Sequence, residues 1–133
     1  MAKKLSIVFG IVFIIVGILG FIPNPLVSAT GFFGVDTVHT IVHLVIGIIL
    51  LVVGLKCAKT SAAVLIVVGA VYLLLAIIGF FGVTSILGFL NVNTPDNWLH
   101  AVLGIVIIIA GIMGKKCNSE MAAPAAPVAP TQM

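Results

Sequence analysis

Four long apolar runs, roughly Leu5–Ile22, Val38–Leu55, Ser61–Val83 and Asn97–Gly114, leave the chain little choice of solvent. A helix needs about 17–25 mostly apolar residues to cross a bilayer, and the shortest run reaches about 27 Å at 1.5 Å per residue. A water-soluble fold of this size could not hide so much apolar surface. Hydrophobic residues make up 62% and charged residues 7%, against about a quarter charged in soluble domains. The lipid bilayer is therefore the partner the composition demands. The expected fold is an all-α integral membrane four-helix bundle.

Charge orients the four spans. All six basic residues are lysines: Lys3, Lys4, Lys56, Lys59, Lys115 and Lys116. They flank the first run, the link between runs two and three, and the end of run four. With four spans these points share one side. The opposite links carry Asp36 and Asp96 and neither Lys nor Arg. This is a complete positive-inside pattern, and it predicts a multi-pass protein of a prokaryotic plasma membrane with both termini in the cytoplasm. Topology and anionic lipid account for the lysines, so the net charge of +3 requires no nucleic-acid partner. Cys57 and Cys117 fall at the cytoplasmic helix ends, where free thiols are expected.

An internal repeat divides the chain. Residues 31–55 align without a gap on residues 88–112: Gly31/Gly88, Phe32/Phe89, Val35/Val92, Thr37/Thr94, His43/His100, Gly47/Gly104 and Gly54/Gly111 coincide. Apolar letters match by chance in membrane helices; Thr, His and three Gly positions do so far less readily. Upstream, 8–21 aligns on 67–80, with Gly10/Gly69 and Gly20/Gly79 coincident and Ala76 under Gly17. The expected organisation is a transmembrane domain over 1–114, with repeat one at about 5–59 and repeat two at about 61–114. Each copy holds an even number of spans, so the two should stand parallel about an axis along the membrane normal. The repeat also argues against a cleaved signal peptide. The first 30 residues imitate one, with Lys3-Lys4, an apolar stretch and Val27-Ser28-Ala29, but run one is the counterpart of an internal helix. The segment 115–133, rich in Ala and Pro, reads as a disordered cytoplasmic tail.

Glycine spacing indicates how the helices meet. Gly10/Gly17, Gly47/Gly54 and Gly104/Gly111 are seven apart, as are Gly69 and Ala76. Seven residues make two turns, so each pair occupies one helix face and admits a neighbouring backbone. These are the expected packing faces.

Against this background the stretch NVNTPDNWLHAVLG, residues 91–104, is conspicuously polar. Much of it suits a helix start at the membrane surface. Thr94 reads as the N-cap and Pro95 as the first helical residue, with Thr37 the equivalent cap in the first repeat. Asp96 then suits the helix dipole, Asn97 could reach back to the cap, and Trp98 belongs at headgroup level. His100 needs another explanation, because it lies about 9 Å below the cap. His43 sits at the same depth in its own helix. Each shares a face with its packing glycines, and one turn above them His39 and Asp96 occupy equivalent positions. The spacing predicts an outward-facing polar mouth of His39, His43, Asp96 and His100, rimmed by Asn97 and Asp36. Three imidazoles and a carboxylate are a ligand set for a transition metal. They are also groups that could hydrogen-bond to join two hairpins.

At these residues the chain resembles a bacterial four-helix membrane family known only as domain of unknown function 4383. The resemblance runs over about residues 5–114. It rests on G-F-x-x-V-D-x-x-H-x-x-x-H at 31–43 and V-N-x-x-D-N-x-L-H-x-x-L-G at 92–104. Asn93, Asp96, Asn97, Leu99, His100 and Gly104 match in the second motif, and His39 and His43 in the first. Thr40 stands where the pattern has Asn. The resemblance implies the four-span topology and no activity.

Three functional classes follow. The plainest is a structural or accessory protein, a homo-oligomer or a subunit of a larger membrane complex, in which the polar groups only join the hairpins. The second is a metal site, or less readily a haem site, built on His43 and His100 with His39 and Asp96. The third is an outer-surface pH sensor or small-solute handling protein, since imidazole titrates near pH 6.5; only Gly and aliphatic residues continue below the histidines, which argues against a through-path. No Ser/His/Asp set, Walker loop or dinucleotide fingerprint is present, so no catalytic residue is expected and the chain does not read as an enzyme.

Overall fold

Glycines, small residues and a few polar groups share the inside of this protein with a short apolar core, and large aliphatic residues cover its outside. In the computed structural model, which describes residues 1–83, 85–86 and 90–121 (the side chains of 86 and 116–121 excepted), four helices are long and apolar enough to cross a membrane. They are α1 (Ala2–Gly20), α2 (Thr37–Lys56), α3 (Ala58–Phe80) and α4 (Thr94–Met121). The buried stripe of α1 reads Ala2, Ser6, Gly10, Phe13 and Gly17, spaced three or four apart, while Val8, Ile11, Ile15 and Ile18 are about half exposed. In water this pattern would be unstable. In lipid the exposed aliphatic residues are already in their preferred solvent, and the small residues allow close helix contact.

The helices form two antiparallel hairpins, α1 with α2 and α3 with α4, and the hairpins touch each other more thinly. Backbone meets backbone within each. A Cβ on Gly10 would lie 2.7 Å from the Leu51 nitrogen and 2.9 Å from the Gly47 carbonyl; on Gly69 it would lie 2.7 Å from the Gly104 carbonyl. Gly47, Gly54, Gly104 and Gly111 abut the facing backbone similarly, and Gly17 receives the Leu44 side chain. Between the hairpins lies a core of Phe13, Leu50, Leu65, Tyr72 and Ile107. Two buried serines are tied to carbonyls: Ser6 donates to Leu50 at 2.6 Å, and Ser61 donates to Cys57 at 2.6 Å.

The links at the end away from Lys56 and Lys59 contain short strands that the apolar pattern did not anticipate. In the first, β1 (Val27–Ser28) pairs in parallel with β2 (Phe33–Gly34), with Val27 opposite Phe33. Asn24 organises this turn. Its amide donates to the carbonyls of Leu19, Ile22 and Val27, and its oxygen accepts from the amides of Leu26 and Val27. In the second link β3 (Ser85–Ile86) pairs antiparallel with β4 (Leu90–Asn91). The matched repeat positions Gly88 and Phe89 lie outside the described residues, as do the Cys117 side chain and tail residues 122–133. Helix α4 continues beyond Gly114, the expected limit of the transmembrane domain, to Met121.

Both helix starts differ from expectation by one residue. Asp36, not Thr37, caps α2: its side chain accepts from the His39 amide at 2.7 Å. Asn93, not Thr94, caps α4: its Oδ1 accepts from the Asp96 amide at 3.0 Å. All four residues are competent caps. A side-chain acceptor satisfies an amide two or three positions on, so the cap one residue earlier still closes the first turn. Trp98 does lie at the helix start, 61% exposed, with its ring edge-on to Phe80 at 4.9 Å, as an interfacial aromatic should.

Candidate functional site

The two hairpins are tied together around Asn91. Asp36 of the first hairpin accepts from the Asn91 amide at 2.8 Å through its second carboxylate oxygen. His39 Nδ1 lies 3.1 Å from the Asn91 carbonyl. Nearby, the Asn93 side-chain Nδ2 donates to the Phe32 carbonyl at 3.0 Å. Because a carbonyl only accepts, His39 Nδ1 carries the proton in this contact, and Nε2 is left with a free lone pair.

Below this junction three imidazoles converge. Their ligating nitrogens, one from each of His39, His43 and His100, all lie within 4.8 Å of one another. The His39 and His43 rings stack at 4.7 Å and 14°, and His39 and His100 face each other at 5.3 Å. Helix geometry explains the first pair, since residues four apart share a face. Tyr72 stands edge-on to His100 at 4.8 Å, and Phe13 lies 5.6 Å from His43.

Asp96 stands behind this group. Its Oδ2 is 3.5 Å from His100 Nδ1 and 3.9 Å from His39 Nε2. Neither Asp96 Oδ2 nor His100 Nδ1 has a hydrogen-bond partner, and both are buried. Thr40 Oγ1 and Asn97 Oδ1 share that condition. An unsatisfied buried polar group costs about 1–3 kcal/mol, so the Asp96 and His100 atoms, buried 3.5 Å apart, are not explained by apolar packing.

The structure thus brings together four of the residues the spacing singled out, His39, His43, Asp96 and His100, and corrects their setting. They do not form an open mouth. Each is at most 6% exposed, and the Asn91 carbonyl of the second link meets His39 from above. Asn97 is not on a rim and does not reach back to the cap. It is buried, with its amide seated over Gly79, where any Cβ would collide with it. Thr40 sits over Gly20 in the same way in the first hairpin. Asp36 is the cap and tie rather than a wall of the cluster. Tyr72, Thr40, Asn91 and Phe13 were missed from sequence. The available signal was Tyr72, the single tyrosine of the chain, three residues after packing residue Gly69.

A cavity of about 150 Å³ leads to the cluster from the side, between α1 and α4. Its lining is almost wholly apolar, with Val12, Val16 and Leu99 joined by Val27, Phe33 and Val35 of the first link; His43, Asp96 and His100 border it as well.

Residues 3–113 match the family described as Domain of unknown function (DUF4383). No curated protein and no solved structure matches the chain.

Proposed function

The chain belongs to the DUF4383 family, whose description assigns no activity, and from the site itself we propose that it is a small multi-pass membrane protein that binds one transition-metal ion through His39, His43 and His100. One observation carries this reading: three buried imidazoles from two helices place ligand atoms within 4.8 Å of one another. A tetrahedral zinc with bonds of about 2.0–2.1 Å would hold its nitrogens about 3.4 Å apart, so each ring needs to move inward by only about an ångström. Imidazole sets suit zinc, copper, iron or nickel.

The surroundings favour the same reading. A ligating histidine usually donates its other ring N–H to a carbonyl or carboxylate, which fixes its tautomer. The Asn91 carbonyl serves His39, and Asp96 faces His100 Nδ1. Asp96 also supplies a negative charge beside a dication in a low-dielectric site. Three protein ligands leave a fourth position for an incoming group. We read the protein as a binding protein rather than an enzyme, placed in a prokaryotic plasma membrane with its lysine-bearing ends and both termini in the cytoplasm.

Protein purified in mild detergent without chelators should carry close to one zinc, copper or iron per chain by elemental analysis. The double variant His43→Ala/His100→Ala should carry none while keeping its helical circular dichroism. Equal metal content in the two proteins would sink the proposal. A second reading, that the cluster only joins the hairpins, has the Asp36–Asn91–His39 tie in its favour. It is the outcome if the native protein holds no metal and the double variant merely loses thermal stability.

A further inference from the structure

We propose that the two links at the end away from the lysines are not water-exposed loops but a lipid-covered collar, seated among the headgroups and upper acyl chains of that leaflet. This goes beyond the metal reading and does not depend on it, since it assigns a partner, phospholipid, to a surface outside the four spans.

Three observations converge on it. The first is the surface. Phe21, Ile22, Leu26, Phe32, Phe81 and Trp98 are each more than half exposed, and Phe81 is 85% exposed. Trp98 belongs to α4, and the other five lie in the links, beyond the helices. Residues 21–35 and 81–95 contain no Lys, Arg, Asp or Glu. Asp36 is engaged by two backbone amides, and Asp96 is buried. Such a surface is costly in water and suits the membrane interface. The six side chains are spread over the ends of α1, α3 and α4, and an apolar groove lined by Phe32, Trp98 and Val102 joins them to the lipid-facing flank of α4. A surface so distributed fits a fluid partner better than a single docked protein.

The second is the backbone of the first link. Where water is scarce, backbone polar groups must find partners inside the chain. Pro23 and Pro25 have no N–H to satisfy. The Asn24 side chain serves two amides and three carbonyls around it. The amides of Gly31, Phe32, Phe33 and Val35 donate to carbonyls of the same link. The third is depth. From Lys4 to the end of α1 at Gly20 is about 24 Å at 1.5 Å per residue, whereas the hydrocarbon core is about 30 Å thick. With Lys4 at one boundary, Phe21 and Ile22 do not clear the other. From Lys59 to the end of α3 at Phe80 is about 32 Å on the same rise, which sets Phe81 at the boundary itself.

Trp98 is the single tryptophan of the chain, so its fluorescence reports depth without any substitution. Leu26→Trp or Phe81→Trp in a Trp98→Phe background moves the reporter into either link. Each full-length protein is reconstituted into phosphatidylcholine vesicles whose lipid is brominated either high on the acyl chain or near its methyl end. A parallel set carries iodide on both sides of the membrane. All three reporters should lose about twofold or more of their emission to the high bromines, and less to the deep ones. Iodide should quench them several-fold less than free tryptophan amide. Iodide quenching of the link reporters as strong as that of the free amide, with no effect of bromine, would place the links in water and overturn the proposal. Emission protected from both quenchers would mean that a second copy of the chain covers the surface, and would overturn it equally. Trp98 of the unsubstituted protein must give the lipid result as well, so the test does not rest on the variants folding; strong iodide quenching there would also overturn the proposal.

Discussion

Asp36 shows how much one side chain can hold together. One carboxylate oxygen caps α2, and the other takes the Asn91 amide of the second hairpin. Burial alone would push this carboxyl up, but the hydrogen bonds from the His39 and Asn91 amides, with the His39 charge and the Val38 amide, together outweigh it and hold the group below its ordinary value. A carboxyl depressed in the folded state stabilises the fold above its unfolded value, near 3.8, and loses that contribution as pH falls through the folded value. Asp36→Asn should therefore lower the unfolding temperature at pH 7, and its deficit against wild type should shrink towards pH 3. Thermal unfolding of both proteins in detergent across that range checks this; a deficit independent of pH would contradict it. The same residue shows what was legible in sequence. The polar helix start was evident, but Asp36-Thr37 and Asn93-Thr94 each offer two competent caps in succession, and only backbone geometry chooses between them. His43 and His100 were legible because the repeat aligned them on packing faces. Tyr72 was not, because one aromatic in an apolar run looks like any other lipid-facing or core residue. Asn97 looked like a surface residue, and only the missing Cβ of Gly79 gives it room inside.

At the scale of elements, the hairpin is the unit, and glycine sets its spacing. The four spans followed from run length and hydropathy, and the packing faces from a seven-residue spacing that needs no knowledge of partners. The strands of the links were illegible, because two-residue pairings arise from local turn chemistry, such as that around Asn24, rather than from a hydrophobic pattern. Gly69 and Gly104 each press on the other's carbonyl, so a branched side chain at either must force α3 and α4 apart. Gly69→Leu or Gly104→Leu should cost about 1–3 kcal/mol through overpacking and loosen the His100–Asp96 arrangement. A substitution to Leu at half-exposed Val67 or Val71 should be close to neutral. Unfolding in mixed micelles gives the comparison, and equal effects at both kinds of position would remove glycine from the account.

The whole molecule is a bundle apolar on its outer faces, with buried polar groups gathered near one end and lysines near the other. Composition and lysine placement make the orientation proposal, and Cys57 offers its test. Cys57 is exposed at the lysine end, and its thiol is held below the usual value first by hydrogen bonding with the Thr60 side chain, then by the nearby backbone amides, which favours the reactive thiolate. In a Cys117→Ser background, a membrane-impermeant maleimide should label Cys57 in inverted vesicles and not in intact cells; the reverse result would invert the topology. The central claim, that His39, His43 and His100 together bind a metal, is met most directly by X-ray absorption at the zinc edge of protein loaded with one zinc per chain. The account predicts three imidazole nitrogens at about 2.0–2.1 Å and their loss in the His43→Ala/His100→Ala variant. A first shell of sulfur at about 2.3 Å, or of oxygen alone, would place the metal elsewhere and contradict it.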